Sequence, residues 1–320
     1  IIFVRNKLMP LISIIIPLYN KERFIENTLN SVLRQTFMDY EVIIIDDGSN
    51  DDSGSIVSNF DDKRITVYSN SNNGVSHARN FGISKSSSDL IALLDGDDIW
   101  EQNHLENLYS LYENFPKCGL YAAAYNKKYF NGRIIKCNFN KVPSNHFGII
   151  NDYFSASTKD GIAWTSAVLI PKITFNKIGM FDEEMRSGQD TDLWIRIALK
   201  EPIAFSATIS SNKIILAPKY HLSYSKSRID RLKLFEKHKA TNESNTSFKK
   251  YMDLNRFSVA IERNAAKDYC NYKLLANAIK PSNLNLKQRV ILKLPSILIR
   301  LLKDLQNLLL RNDVYISPFK

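Results

Sequence analysis

LIALLDGDDIW, residues 90–100, sets five apolar residues directly before three carboxylates in four positions. A short apolar run bounded by turn residues predicts a buried strand, with Asp95, Asp97 and Asp98 at its carboxyl end. In open α/β sheets, ligands bind outside that end. Carboxylates crowded in this way repel one another. A hard divalent cation bridging them to a diphosphate would remove the repulsion. Alone, the same residues would describe no more than an acidic surface turn.

Upstream, LISIIIP (11–17) and YEVIII (40–45) predict two more buried strands, and Ile65–Tyr68 a third. Between them, Glu22–Gln35, Asp51–Phe60 and Val75–Ser84 have helical spacing. Strands alternating with helices imply a mostly parallel sheet wrapped by helices, an α/β fold. Downstream, Leu105–Phe115 and Asp190–Leu199 predict helices, and Gly119–Tyr125 and Thr165–Ile170 strands. The stretch 126–160 is polar and predicts loops. From about Ser225 the pattern is helical and basic, ending in ILKLPSILIRLLKDLQNLLLR (291–311), an amphipathic basic helix after Pro295. Packing on a protein neighbour and contact with a membrane surface both fit that helix.

The ends of the predicted strands carry a second set of polar residues. Pro17-Leu18-Tyr19-Asn20 follows the first, where Tyr19 could stack on a base. Asp46-Asp47 follows the second, where a carboxylate could accept from a uracil imide or a ribose hydroxyl. Arg79 lies on the helix after the third and could pair with phosphate. The eleven glycines include neither GxGxxG nor GxxxxGK[ST], so the usual dinucleotide and P-loop signatures are absent.

Composition narrows the class. The 320 residues are 44% hydrophobic and 24% charged, which excludes wholesale disorder. Cys118, Cys137 and Cys270 lie far apart, against a disulfide framework or zinc site and in keeping with a reducing cytosol. No run of about 18 apolar residues predicts a spanning helix. The opening Ile1–Val4 lacks the features of a signal peptide, and residues 1–8 read as an extension before Met9-Pro10. Charge is uneven: residues 201–320 hold 22 Lys and Arg against 9 Asp and Glu, whereas residues 1–200 hold 21 against 24. Such a tail suits anionic lipid, nucleic acid or no specific partner, and aromatic stacking motifs for nucleic acid are not evident.

Five segments together resemble glycosyltransferase family 2, whose fold is GT-A: residues 13–37, 41–53 (EVIIIDDGSNDDS), 72–83 (NNGVSHARNFGI), 90–100 and 179–197 (GMFDEEMRSGQDTDLWIRI). The resemblance implies a catalytic domain over 9–225 and a basic, mainly helical region over 226–320. It implies that Pro17, Tyr19 and Glu22 hold the nucleoside of a sugar donor. Asp47, with Asp46 beside it, would read the uracil, and Arg79 would lie near the donor. Asp95 and Asp97 match the DxD acids. Asp97, assisted by Asp98, would contact Mn²⁺ or Mg²⁺, and His221 matches a histidine near the diphosphate that joins the metal set. Asp190 matches the catalytic base, with Gln189 standing where the family usually has Glu. Asp192 is the alternative base, and a helix cap is the rival role for Asp190.

The expected activity is metal-dependent, inverting transfer of a hexosyl or N-acetylhexosaminyl unit. It would run from a UDP-sugar to a glycan or lipid-linked acceptor in bacterial surface-polysaccharide assembly. The expected place is the cytoplasm or the cytoplasmic face of the inner membrane, with peripheral contact through the C-terminal helices and no nucleic acid partner. A sugar nucleotidyltransferase and a non-catalytic basic nucleic-acid binder are the rival classes. Trp100 and Trp164 could wall the acceptor site or pack in the core, and Gly179–Asp182 would shape the acceptor side.

Overall fold

Uninterrupted β-branched runs need cover on both faces, and the first strands receive it: Ile12, Ile14, Ile15 and Ile16 are all fully buried. The computed structural model describes residues 9–129, 131–215, 231–241 and 245–311. In chain order the elements begin β1 (Ile12–Leu18), α1 (Ile25–Leu33), β2 (Tyr40–Asp46), α2 (Ser53–Ser58), β3 (Ile65–Ser69), α3 (Val75–Lys85) and β4 (Leu90–Leu93). They continue with β5 (Ile99–Trp100), α4 (His104–Asn114), β6 (Leu120–Tyr129), β7 (Ile134–Lys136), β8 (Phe147–Ile149) and α5 (Tyr153–Ala156). Next come β9 (Val168–Pro171), α6 (Lys172–Ile178), α7 (Gln189–Ala198) and β10 (Ile203–Ile215). The last helices are α8 (Arg231–Lys237), α9 (Thr246–Ala265), α10 (Tyr269–Ala278), α11 (Leu286–Leu292) and α12 (Ser296–Arg311).

Among the described residues the strands form one mixed sheet in the order β3-β2-β1-β4-β9-β6-β10-β5, with β7 on β6 and β8 on β10. The strands β3, β2, β1 and β4 run parallel. Their carboxyl ends therefore share one edge, with Leu18 opposite Asp46 and Asp46 opposite Ser69. β9 enters antiparallel between β4 and β6, and β6 and β10 are parallel to each other. α3 approaches the sheet closely at Gly82, where a Cβ would stand 2.5 Å from Ile15 Cγ2.

Two differences from the sequence expectations matter for the site. The predicted strand at Thr165–Ile170 begins as a 3₁₀ turn, Thr165–Ala167, and only then becomes β9. β10, unmarked by any apolar alternation, is the longest strand described, at 13 residues. Its buried positions include Ser206, Ser210 and Ser211, and register shifts around Ile209 break its period. The polar stretch 126–160 also holds β7, β8 and α5, each four residues or shorter.

The chain divides into two compact units. The first holds the described residues through Cys137, Val142–Asn151 and the described residues from Ile162 to Ile215; the second holds Asn138–Lys141, Asp152–Gly161 and the described residues from Arg231 on. The second has its own apolar centre, Leu254, Phe257, Ile279 and Leu284. Within it α11 opens on a capping box between Asn285 and Gln288.

In the first unit His104 joins α4 to β10. It is fully buried, its Nδ1 lies 2.8 Å from Ser210 Oγ, and its ring packs on Trp100. Burial pushes its pKa down to about 3. The unfolded chain takes up this proton near 6.5 while the folded one refuses it until about 3, so stability falls as pH drops through that window. Urea unfolding between pH 7 and pH 4 is expected to show a shallower acid loss for His104→Gln than for the wild type.

Candidate active site

The loops after β1 and β2 are stitched to each other. Asn20 N donates to Ser49 Oγ at 3.1 Å, and Asn20 Oδ1 accepts from Asn50 N at 2.9 Å. Lys21 N donates to Ser53 Oγ at 2.7 Å, Glu22 N to Asp51 Oδ2 at 3.1 Å, and Asp52 N to Glu22 Oε2 at 3.3 Å. Asn20 adopts φ 51°, a left-handed conformation that asparagine tolerates better than most residues. Pro17 and Tyr19 are half-buried at the start of this double loop, and Glu22 is exposed.

Asp46 Oδ1 accepts from Ser49 N at 2.9 Å, an Asx-type turn that shapes the second loop. Asp47 is buried, and its two oxygens accept from Asn73 N at 2.9 Å and Gly74 N at 2.7 Å. It therefore clamps the entry to α3. Each carboxylate oxygen keeps a further lone pair for a ligand.

Beyond β4, each of three neighbouring acids has a different partner. Asp95 Oδ1 accepts from Arg79 Nη2 at 2.6 Å. Asp97 Oδ2 meets Lys21 Nζ at 2.5 Å, with both side chains partly exposed. Asp98 is buried: Oδ2 accepts from Ser166 Oγ at 2.6 Å and Oδ1 from Ile214 N at 3.0 Å. Burial, with Asp97 and Asp95 beside it, raises the Asp98 pKa well above the usual carboxylate range. Ser166 Oγ also accepts from Asp95 N at 3.0 Å, and Ser166 O accepts from Trp100 Nε1 at 2.6 Å. The 3₁₀ turn and β10 thus brace the acidic turn from behind.

Arg79 is buried on α3, with its guanidinium carbon 5.2 Å from the Phe181 ring centre. Among the described residues its Nε and Nη1 have no hydrogen-bond partner, which leaves their three N–H groups unused. The neighbouring Asn80 holds the backbone of Phe181 from both sides, Nδ2 to O at 2.9 Å and N to Oδ1 at 3.0 Å. One helix therefore positions both the Asp95 partner and the segment leading to Asp190.

That segment is fixed again from α7. Asp192 is fully buried and accepts from Arg196 Nε at 2.8 Å, while the Arg196 Nη atoms donate to the carbonyls of Ile178, Gly179 and Met180. Pinned in this way, Asp192 serves as a brace, which leaves Asp190 as the candidate base. Asp190 is half-buried in the first turn of α7, and Oδ1 accepts from Thr191 N at 2.6 Å and Thr191 Oγ1 at 3.2 Å. Its Oδ2 has no partner among the described residues. The capping position itself is Gly188, with no side-chain cap.

The structure gathers Pro17, Tyr19, Glu22, Asp46, Asp47, Arg79, Asp95 and Asp97 at one sheet edge, and Asn80 fixes Phe181, at the head of the segment that leads to Asp190, beside it. Asp98 lies behind that edge, with both oxygens committed to protein donors. His221 lies outside the described residues. Among the described residues no group of three or more His, Cys, Asp or Glu could by itself hold a metal ion. Trp100 and Trp164 are buried, Trp164 against Tyr125. Sequence reasoning missed Lys21, Ser53, Ser166 and Asn80, which lie in or beside the acidic and aromatic motifs and act on them by hydrogen bonds or charge.

A family model described as glycosyl transferase family 2 matches residues 13–178. The chain belongs to that family. An uncharacterized glycosyltransferase of Rickettsia typhi is 28% identical to it over 209 residues, which is 63% of this chain and 63% of that protein. The chain thus spans less than two thirds of that relative's length. Among solved structures, S. aureus TarS 1–349 in complex with UDP is similar, with a TM-score of 0.55 and 18% identity, over 83% of this chain and 90% of that one. GalNAc-T7 with UDP, GalNAc and Mn²⁺ is similar with a TM-score of 0.52 and 16% identity, over 72% of this chain and 48% of that one. These likenesses place the fold as GT-A.

Asp98 makes its own pH signature. The folded state holds its proton more tightly than the unfolded chain does. Stability owed to this group therefore falls as pH rises from 3.8 through the raised value. Asp98→Asn is expected to be at least as stable as the wild type at pH 7 and to lose that part of the pH dependence. Ser166→Ala leaves polar partners unsatisfied and is expected to lose about 1–3 kcal/mol. Urea unfolding of the three proteins at pH 5 and pH 7 distinguishes these outcomes.

Proposed function

We propose that this chain transfers a hexosyl or N-acetylhexosaminyl unit from a UDP-sugar to a hydroxyl of a glycan or lipid-linked acceptor. The setting is surface-polysaccharide assembly in the cytoplasm. The observation that carries the reading is the shared edge itself: a stitched double loop, Arg79 with unused N–H groups, and a partly exposed Asp97. Similarity to TarS, solved with UDP, supports the nucleotide, and cysteines that form no disulfide among the described residues suit a reducing compartment.

The residues divide the work. Tyr19 stacks on the uracil between Pro17 and Glu22, Asp47 accepts from its imide, and Asp46 lies toward the ribose. The unused N–H groups of Arg79 meet phosphate oxygens. A divalent cation fits this edge, because Asp97 already holds a cationic group, Lys21 Nζ, on a partly exposed oxygen. Carboxylates are hard donors suited to Mg²⁺ or Mn²⁺, and GalNAc-T7, similar in fold, was solved with Mn²⁺. Asp97 would hold the ion beside Asp95, with the donor's phosphates completing the set; Asp98 props the turn, and His221 is proposed near the diphosphate. When bound, the ion offsets the charge that gathers on the departing diphosphate.

Asp190 takes the proton of the acceptor hydroxyl as its oxygen bonds to the anomeric carbon and the bond from that carbon to the β-phosphate oxygen breaks. UDP leaves with the bonding pair. One base without a second nucleophile gives single displacement and inversion. Asp190→Asn is expected to lose transfer by about 10²–10⁴-fold while keeping donor affinity. UDP release and thermal shift against a panel of UDP-sugars with and without Mn²⁺ test this. Full transfer by the variant refutes the assignment of the base, and no shift with any donor refutes the reading.

Lys21 gives an independent test. Its backbone is held by Ser53 and, through Lys21 O, by Phe24 N and Ile25 N, so its side chain is aimed at Asp97. It competes with any cation arriving there. Lys21→Met is expected to bind Mn²⁺ about 3- to 10-fold more tightly in the absence of donor, given about 1 kcal/mol for such a pair. Mn²⁺ titration followed by electron paramagnetic resonance reads this, and unchanged affinity contradicts it.

A further inference from the structure

We propose that the outer face of α12 rests on an anionic lipid surface. The proposal concerns the second unit alone and does not depend on the donor or the reaction. At about 100° per residue, Ile297, Leu298, Leu301, Leu302, Leu305 and Leu308 fall within an arc of about 140°. All six are exposed, from 43% to 66%. Exposed apolar residues scattered singly need no explanation, but six on one helix face do.

The opposite side of the helix is already occupied. Ile299 is buried, Arg300 Nε donates to Ala265 O at 2.6 Å, and Ser296 Oγ lies 3.0 Å from Tyr269 OH. α12 is therefore docked along its own unit with its apolar face turned to solvent. At 16 residues it reaches only about 24 Å, short of the hydrocarbon thickness of about 30 Å. Among the described residues no helix is long and apolar enough to cross a membrane. The geometry is that of a helix lying in an interface.

Charge selects the occupant. Over 286–311, Lys287, Arg289, Lys293, Arg300, Lys303 and Arg311 stand against the single acid Asp304. A second copy would bring the same net positive charge alongside that of this segment, and like charges near an interface oppose association. Anionic headgroups attract it, while the acyl boundary takes up the leucines.

The test is co-sedimentation of the full chain with phosphatidylcholine vesicles, alone and with about a third of the lipid as phosphatidylglycerol. Binding to the anionic vesicles is expected, weakening with salt and at least about tenfold lower for Leu301→Glu with Leu305→Glu. Both positions are exposed, so an unchanged circular dichroism melt confirms that the double variant folds. Three results overturn the proposal: no vesicle binding, equal binding to both vesicle types, or binding that the double variant keeps. A wild-type dimer split by the double variant, without vesicle binding, would assign the face to a second copy and overturn it as well.

Discussion

Crowding three carboxylates into the four residues after β4 is the constraint that organises the catalytic edge. Asp95 pairs with Arg79, Asp97 with Lys21, and Asp98 is buried against Ser166 and Ile214. Each partner comes from a different part of the chain: α3, the β1 loop, the 3₁₀ turn and β10. The repulsion that would scatter the acids is thus used to draw four elements together. Of the three pairs, only the one at Asp97 opens to solvent on both sides. Asp95 is the more exposed carboxylate, so what singles out Asp97 in the proposed function is its partner: Lys21 is partly exposed and able to withdraw, whereas Arg79 is buried.

The same economy governs the polar loops. Asp47 holds the entry to α3, and α3 then supplies Arg79 to the acidic turn and Asn80 to Phe181. A change at Asp47 therefore reaches, through α3, both Arg79 and the Phe181 backbone that Asn80 holds. Residues proposed to bind the donor are here often the same ones that position other groups.

The inner strands of the parallel half, β1, β2 and β4, could be read in advance because they are buried on both faces, and unbroken runs such as Ile14–Ile16 have no other use. The acids could be read because they follow those runs directly. β10 could not, since its buried serines bond to His104 and Asn107 rather than to an apolar layer. Ser166 was hidden for a related reason: it sits in a turn where strand propensity suggested a strand. Lys21 and Asn80 lay inside quoted motifs, yet their partners are 76 and 101 residues away, and no local pattern signals a contact of that range. The separate roles of Asp98 and Asp97 rest on burial, which adjacent acids in a sequence do not disclose.

The central claim is that Asp97 exchanges Lys21 for a divalent cation when a nucleoside diphosphate arrives. Anomalous diffraction from crystals grown with UDP and Mn²⁺ tests it most directly. The account predicts a manganese peak within coordination distance of the Asp97 carboxylate, with Lys21 Nζ withdrawn from it. A peak elsewhere, or bound UDP with Lys21 still seated on Asp97 and no manganese beside it, would contradict the account.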